Sequence, residues 1–222
     1  MKLLFIGNSA TYYHEIPKTL QKLSAQIGYA VETEQLTPGG YMLSQHADTE
    51  TEHGKKVFAE IAKGYDIVFL QDNGNCIANE EKREACFNAC RKLARAVKES
   101  GAKLYFYVRP PYKKLNSGYD SLQQCEKFDE LFGEIAAELS AECIHVNRAF
   151  AYAIKNLDFN LWAEDNGHTS PHGAYLAVCT FFAKLFGKSA TLLDPNGLPT
   201  DDARALQEAA DKTVFDSSAD IF

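Results

Sequence analysis

Short apolar runs alternate along this chain with longer stretches whose apolar residues recur every three or four positions. Lys2 to Ile6 is a short apolar run and predicts a buried strand. Ile16, Leu20, Leu23 and Ile27 then form a helical stripe that Gly28 stops. Tyr29 to Leu36 alternates apolar and polar, as a strand near a sheet edge does, and Pro38-Gly39-Gly40 ends it. Leu43 to Lys63 is a mostly polar helical stretch with Val57, Phe58 and Ile61 facing inward. Tyr65 to Leu70 is a strong central strand, broken by Gln71 to Asn75. Glu80 to Ser100 predicts a long amphipathic helix with Ala85, Cys86, Leu93 and Val97 inward, closed by Gly101. Lys103 to Val108 is the fourth strand, ended by Arg109-Pro110-Pro111, and a loop to Tyr119 leads into a helix from Leu122 to Leu139.

Glu142 to Val146 is the fifth strand, followed by a short helix from Ala149 to Asn156. Leu161 to Ser170 is irregular. Pro171 to Phe186 predicts a helix with Ser170 as its cap and Pro171 at its first position. A turn at Asp194 to Gly197 and a last helix from about Asp201 to Lys212 complete the chain. Five strands interleaved with helices imply an α/β fold, a parallel sheet covered on both faces in three α/β/α layers. The 222 residues predict one domain, with a core over 2–187 and a helical tail over 188–222.

Composition narrows the function. The formal net charge of -7 disfavours nucleic acid or an anionic membrane surface as the main partner. No apolar run approaches the length of a membrane span. Met1-Lys2 runs directly into the first strand, which predicts a chain without a cleavable leader. The cysteines (Cys76, Cys86, Cys90, Cys125, Cys143 and Cys179) contain no Cys-x-x-Cys pair and no zinc-ligand spacing. They are expected to be free, mostly buried thiols in a reducing cytoplasm.

In a parallel sheet the loops after the strands converge on one edge, where such folds place their ligands. The first three of these loops carry Ser9, then Gly39 and Gly40, then Asn73. A fourth loop carries Asp165-Asn166-Gly167-His168. A serine hydroxyl needs a base to become a nucleophile near neutral pH, and His168 is suited to that role. Asp165, three residues earlier, can hold the other ring nitrogen and stabilise the imidazolium. The Ser9 and Gly40 backbone N–H groups and the Asn73 amide are candidate donors to a tetrahedral oxyanion.

These four blocks resemble those of the SGNH (GDSL-like) hydrolases. Gly7-Asn8-Ser9 matches the first block, with asparagine where many members have aspartate. Gly39-Gly40 matches the glycine block, and Gln71-Asp72-Asn73 stands where the family has Gly-x-Asn. Asp165-x-x-His168, with Ser170 and Gly173-Ala174-Tyr175-Leu176, matches the last. The resemblance covers Lys2 to about Phe186. It implies a flavodoxin-like strand order and a serine esterase with no metal and no cofactor, acting on short acyl groups, including acetyl groups on sugars. It also implies Ser9 as nucleophile, Asp165 and His168 as its triad partners, and Gly40 and Asn73 in the oxyanion hole. Gln71 stands as an alternative to Asn73, and Gly39 to Gly40.

Each residue has a plainer reading. Ser9 can cap the first helix, Asn73 can form a turn with Gly74, and Asp165-Asn166-Gly167 can be only a turn. His168 and His172 are four apart, but Ser170-Pro171 starts the helix between them, so they need not share a face. His14, His46, His53 and His145 read as surface or satisfied core residues. Arg109 ends a strand at the active edge and suits an anionic or sugar substrate, or an ion pair. Tyr12, Tyr13 and Trp162 neighbour the blocks as candidate pocket walls or core aromatics. The rivals to an esterase are a phosphate- or flavin-binding module, which has no use for Asp165 and His168, and a glycan-binding protein without turnover.

Overall fold

The computed structural model describes residues 1–114 and 118–222. Part of the predicted loop after the fourth strand, residues 115–117, lies outside the described residues. Five strands form one parallel sheet: β1 (Lys2–Ile6), β2 (Glu32–Leu36), β3 (Ile67–Leu70), β4 (Lys103–Val108) and β5 (Glu142–His145), in the order β2-β1-β3-β4-β5. β2 is an edge strand, as its alternation predicts, though it begins three residues later than the pattern.

The sheet faces follow from the period-two alternation of strand side chains. Leu3, Phe5, Ile67, Phe69, Tyr105 and Tyr107 face one layer, and Leu4, Ile6, Val68, Leu70, Phe106 and Val108 face the other. The first layer holds α2 (Ile16–Gln26), α7 (Val146–Asn156), α8 (Pro171–Phe186) and α9 (Thr200–Phe215). The second holds α3 (Leu43–His46), α4 (Glu52–Ile61), α5 (Glu80–Glu99) and α6 (Ser121–Leu139). Phe181 of α8 is the hub of the first core, with ring centroids 5.7, 5.3 and 4.9 Å from Phe5, Phe69 and Tyr107.

The structure departs from the sequence pattern in four places. The predicted helix from Leu43 to Lys63 is two helices, because the chain turns at Asp48–Thr51. Thr51 caps α4 by accepting from Gly54 N–H at 3.0 Å, and a Cβ at Gly54 would lie 1.8 Å from the Asp48 carbonyl oxygen. α7 starts at Val146, directly from β5, rather than at Ala149. Ala85 is exposed, whereas Cys86, Leu93 and Val97 are buried on α5. The tail helix α9 runs three residues beyond Lys212 and buries Ala203, Leu206, Ala209 and Ala210 in the core it shares with α8.

Register sets the site. Ile6 pairs with Leu36 and with Leu70, so β1, β2 and β3 end at one level. Gly7 N–H and Gln71 N–H extend the ladder one step, to Leu36 O at 3.1 Å and Ile6 O at 2.9 Å. The Gly7, Thr37 and Gln71 loops therefore leave the same edge side by side.

Candidate active site

Ser9 is the first residue of a one-turn helix, α1 (Ser9–Tyr12). The cap is Asn8, not Ser9: Asn8 is extended (φ -144°) and its Oδ1 accepts from Ala10 N–H at 3.0 Å. That leaves the half-buried Ser9 hydroxyl with no protein partner among the described residues. The turn before it is packed too tightly for a side chain. A Cβ at Gly7 would lie 2.6 Å from Gln71 Oε1 and 2.9 Å from Thr11 Oγ1. Gln71 Oε1 accepts from Asn8 N–H and Thr11 Oγ1, both at 3.0 Å, and its amide nitrogen bonds Asp72 O. Gln71, an alternative oxyanion donor by sequence, thus holds the first loop through its side-chain carbonyl and bonds one amide hydrogen within its own loop.

The second and third loops are tied to the first. Asn8 Nδ2 donates to Tyr41 O at 2.8 Å, Asn73 Nδ2 to Gly40 O at 3.1 Å, and Leu43 N–H to Asp72 Oδ1 at 2.8 Å. Pro38 to Tyr41 is a tight turn closed by Tyr41 N–H to Pro38 O, and Gly40 sits in it at φ +75°, where an L side chain is disfavoured. Asn73 does double duty. Its Oδ1 accepts from Asn75 N–H at 2.9 Å, forming the turn expected with Gly74, and one amide hydrogen goes to Gly40 O. The other amide hydrogen remains, together with the Ser9 and Gly40 backbone N–H groups, which have no acceptor among the described residues. Donors without an acceptor are what a developing oxyanion requires.

The fourth loop presents His168. Asp165 Oδ1 accepts from the Gly167 and His168 N–H groups, each at 2.9 Å, and its Oδ2 lies 2.6 Å from His168 Nδ1. A carboxylate there assigns the proton to Nδ1, so the lone pair is on Nε2. The side-chain bond from His168, then the two N–H bonds, hold the Asp165 carboxyl down to about 2. This loop docks on the segment after Ser9. Tyr13 stacks on the His168 ring at 4.3 Å and 15°, and His14 Nε2–H donates to Thr169 O at 3.1 Å. His14 reaches it because His14 and Glu15 both take left-handed backbone (φ 56° and 52°), which costs about 1–2 kcal/mol for each L residue. No hydrogen bond joins Ser9 Oγ to His168. Contacts of this kind commonly tighten only with substrate in place.

Tyr112, which sequence reasoning passed over, stands between two of these loops. A Cβ at Gly74 would lie 2.2 Å from its Cε2, and one at Gly167 would lie 3.8 Å from its Cδ1. Arg109 is buried rather than in a surface ion pair, its guanidinium 3.8 Å from the Tyr112 ring centroid and its Nε donating to Pro110 O. Trp162 Nε1 donates to Pro111 O at 2.9 Å, and Trp162 bridges to Thr169. Tyr12 is exposed, with its hydroxyl 3.2 Å from where a Gly39 Cβ would be. His172 turns away from His168 and contacts Asp202 of α9 at 2.9 Å.

All six cysteines are free and buried. Among the described residues one set could gather a metal ion by proximity: Asp72, Cys76 and Cys86, whose ligand atoms lie within 4.8 Å of one another. Asp72 Oδ1 already accepts from Leu43 and Asn73 N–H groups. The Cys76 thiol is pushed well up by its hydrogen bond with Cys86 and by burial. No helix among the described residues is long and apolar enough to cross a membrane.

A sheet edge carrying a free serine, a carboxylate-held histidine and a cluster of open donors has the layout of an SGNH-type fold. No profile of a known family matches the chain, and no curated protein matches it in sequence. Solved structures do. A protein from Slackia heliotrinireducens, provisionally assigned as an SGNH hydrolase, is 26% identical over 82% of this chain and 96% of its own, with a TM-score of 0.70. A DUF4886 family protein from Bacteroides uniformis is 17% identical over 96% of this chain and 93% of its own, with a TM-score of 0.79. Axe2, an acetylxylan esterase from Geobacillus stearothermophilus, is 19% identical over 82% of this chain and 92% of its own, with a TM-score of 0.61. The chain shares the three-layer fold of these SGNH-type hydrolases.

Proposed function

We propose that the protein hydrolyses carboxylic esters through an acyl-enzyme on Ser9. The observation that carries this reading is the pairing of Asp165 with His168 Nδ1, on a loop stacked against the Ser9 segment. Ser9 Oγ attacks the carbonyl carbon as its proton passes to His168 Nε2. The carbonyl oxygen becomes an oxyanion facing the N–H groups of Ser9 and Gly40 and the Asn73 amide. The bond to the alcohol oxygen then breaks, and His168 protonates the leaving alkoxide. Water gives a proton to His168 and attacks the acyl carbon, and release of the acid returns the proton to Ser9.

The preferred acyl group is short, with acetyl esters, including those on carbohydrates, as the substrate class. Axe2, with the same fold, is an acetylxylan esterase. Tyr12 and Trp162 flank the loops as sugar-facing walls, and Arg109 braces Tyr112 between the oxyanion and triad loops. The free, buried cysteines fit a reducing, cytoplasmic setting. Hydrolysis of 4-nitrophenyl esters from acetyl to decanoyl tests the preference. The expected order falls with chain length; rates that rise steadily towards decanoyl overturn it.

A further inference from the structure

We infer that His46 is a positioning residue for the nucleophile, acting by gripping the peptide bond that precedes Asn8-Ser9. The inference rests on the reading of Ser9 as the nucleophile.

The peptide between Gly7 and Asn8 is held at both ends by side chains from neighbouring loops. Its carbonyl accepts from His46 Nε2–H at 2.8 Å, and its N–H donates to Gln71 Oε1 at 3.0 Å. Rotation of this peptide would re-aim both the Ser9 side chain and the Ser9 N–H, the attacking atom and a candidate oxyanion donor together. His46 ends α3, whose first N–H is bonded to Asp72, so the same helix is braced against the first loop and the third. His46 is fully buried, which demands that both ring nitrogens be satisfied.

Chemistry fixes the proton arrangement. A carbonyl can only accept, so His46 Nε2 carries the proton and Nδ1 holds the lone pair. His53 Nε2 lies 2.9 Å from that Nδ1 and therefore carries its own proton, donating it inward from the half-buried start of α4. Tyr41 packs edge-on against both rings, 5.4 Å from His46 and 4.9 Å from His53, while its carbonyl accepts from Asn8 Nδ2. His53, His46 and Gly7 thus form a directed relay of hydrogen bonds that ends two residues before Ser9. Burial keeps His46 neutral, as the relay requires.

The test combines labelling kinetics with NMR on the intact protein. His46→Phe fills the site but cannot donate. It is expected to slow fluorophosphonate labelling of Ser9 and to lower kcat by about 10- to 100-fold, with KM nearly unchanged, since small misplacements of reacting groups cost about that much. His46→Gln, which keeps a donor, is expected to recover much of the rate. In the wild type, long-range 1H–15N spectra are expected to show His46 as the Nε2–H tautomer. Folded His46→Phe labelled at the wild-type rate, or His46 found with its proton on Nδ1, overturns the inference. If His46→Phe does not fold, His46→Gln and the wild-type tautomer decide. Wild-type protein that fails to label at Ser9 removes the esterase reading instead, and the two failures stay distinct.

Discussion

Gly74→Ala is a one-methyl test of how the site is assembled. Its new Cβ would lie 2.2 Å from Tyr112 Cε2, 3.0 Å from Cδ2 and 3.2 Å from Arg109 Nη1. Carbon atoms pack at about 3.5–4.0 Å, so the ring must retreat by roughly 1.3–1.8 Å. Little allows it to. The Arg109 guanidinium is stacked on the ring, and the Tyr112 backbone is bonded to Gln124 through both its N–H and its carbonyl. Overpacking of this kind costs about 1–3 kcal/mol of stability. If the Asn73-Gly74 backbone yields instead, the Asn73 amide is displaced and kcat falls by about 100-fold. Urea unfolding and steady-state kinetics read the two losses. Tyr112→Ala in the same chain removes the clash, so the double variant is expected to be no less stable than Tyr112→Ala alone. Gly74→Ala with wild-type kcat and stability within about 0.5 kcal/mol would refute the close packing of Tyr112 on the third loop.

Other expectations follow from the same contacts. Burial, and then the nearby His53, hold His46 down to about 4 against the Gly7 bond that favours its charge, while the unfolded value is 6.5. The unfolded chain therefore takes up this proton first on acidification. The contribution is complete above about pH 6.5 and falls by about 3 kcal/mol towards pH 4. Urea midpoints across pH 4–8 should show that slope, and His46→Gln should flatten it; equal slopes would count against the buried imidazole. Asp165→Asn keeps the loop's size but loses the carboxylate that orients His168, and kcat should drop by about 100- to 10,000-fold. A drop of less than tenfold would mean the pairing is dispensable. Asn73→Ala removes one candidate oxyanion donor and should lower kcat by about 100- to 1,000-fold, with substrate binding changed little. A change confined to KM would place Asn73 in binding alone.

Much of this was legible in the sequence, for physical reasons. The strands and their parallel sense were readable because buried strands are unbroken apolar runs and the helices between them carry strong stripes, whereas the strand order came with the family resemblance. The Asp165-to-His168 pairing was readable because both residues lie within one short turn, so local geometry suffices to join them. The His46–His53 contact was not. It bridges the break at Asp48–Thr51, and the pattern of residues 43–63 looks like one continuous helix. Tyr112 was also hidden, since its role depends on two glycines, Gly74 and Gly167, that meet it only when distant loops converge. Ser9 as cap was a fair reading of Gly-Asn-Ser, yet the cap is the residue before it, and that frees the hydroxyl.

Activation of Ser9 by His168 can be read from the intact mass of the protein after treatment with a serine-directed fluorophosphonate. A single adduct is expected on the wild type, mapping to Ser9 and lost in both Ser9→Ala and His168→Ala. Folded wild-type protein without an adduct, or an adduct that survives in Ser9→Ala, would contradict it.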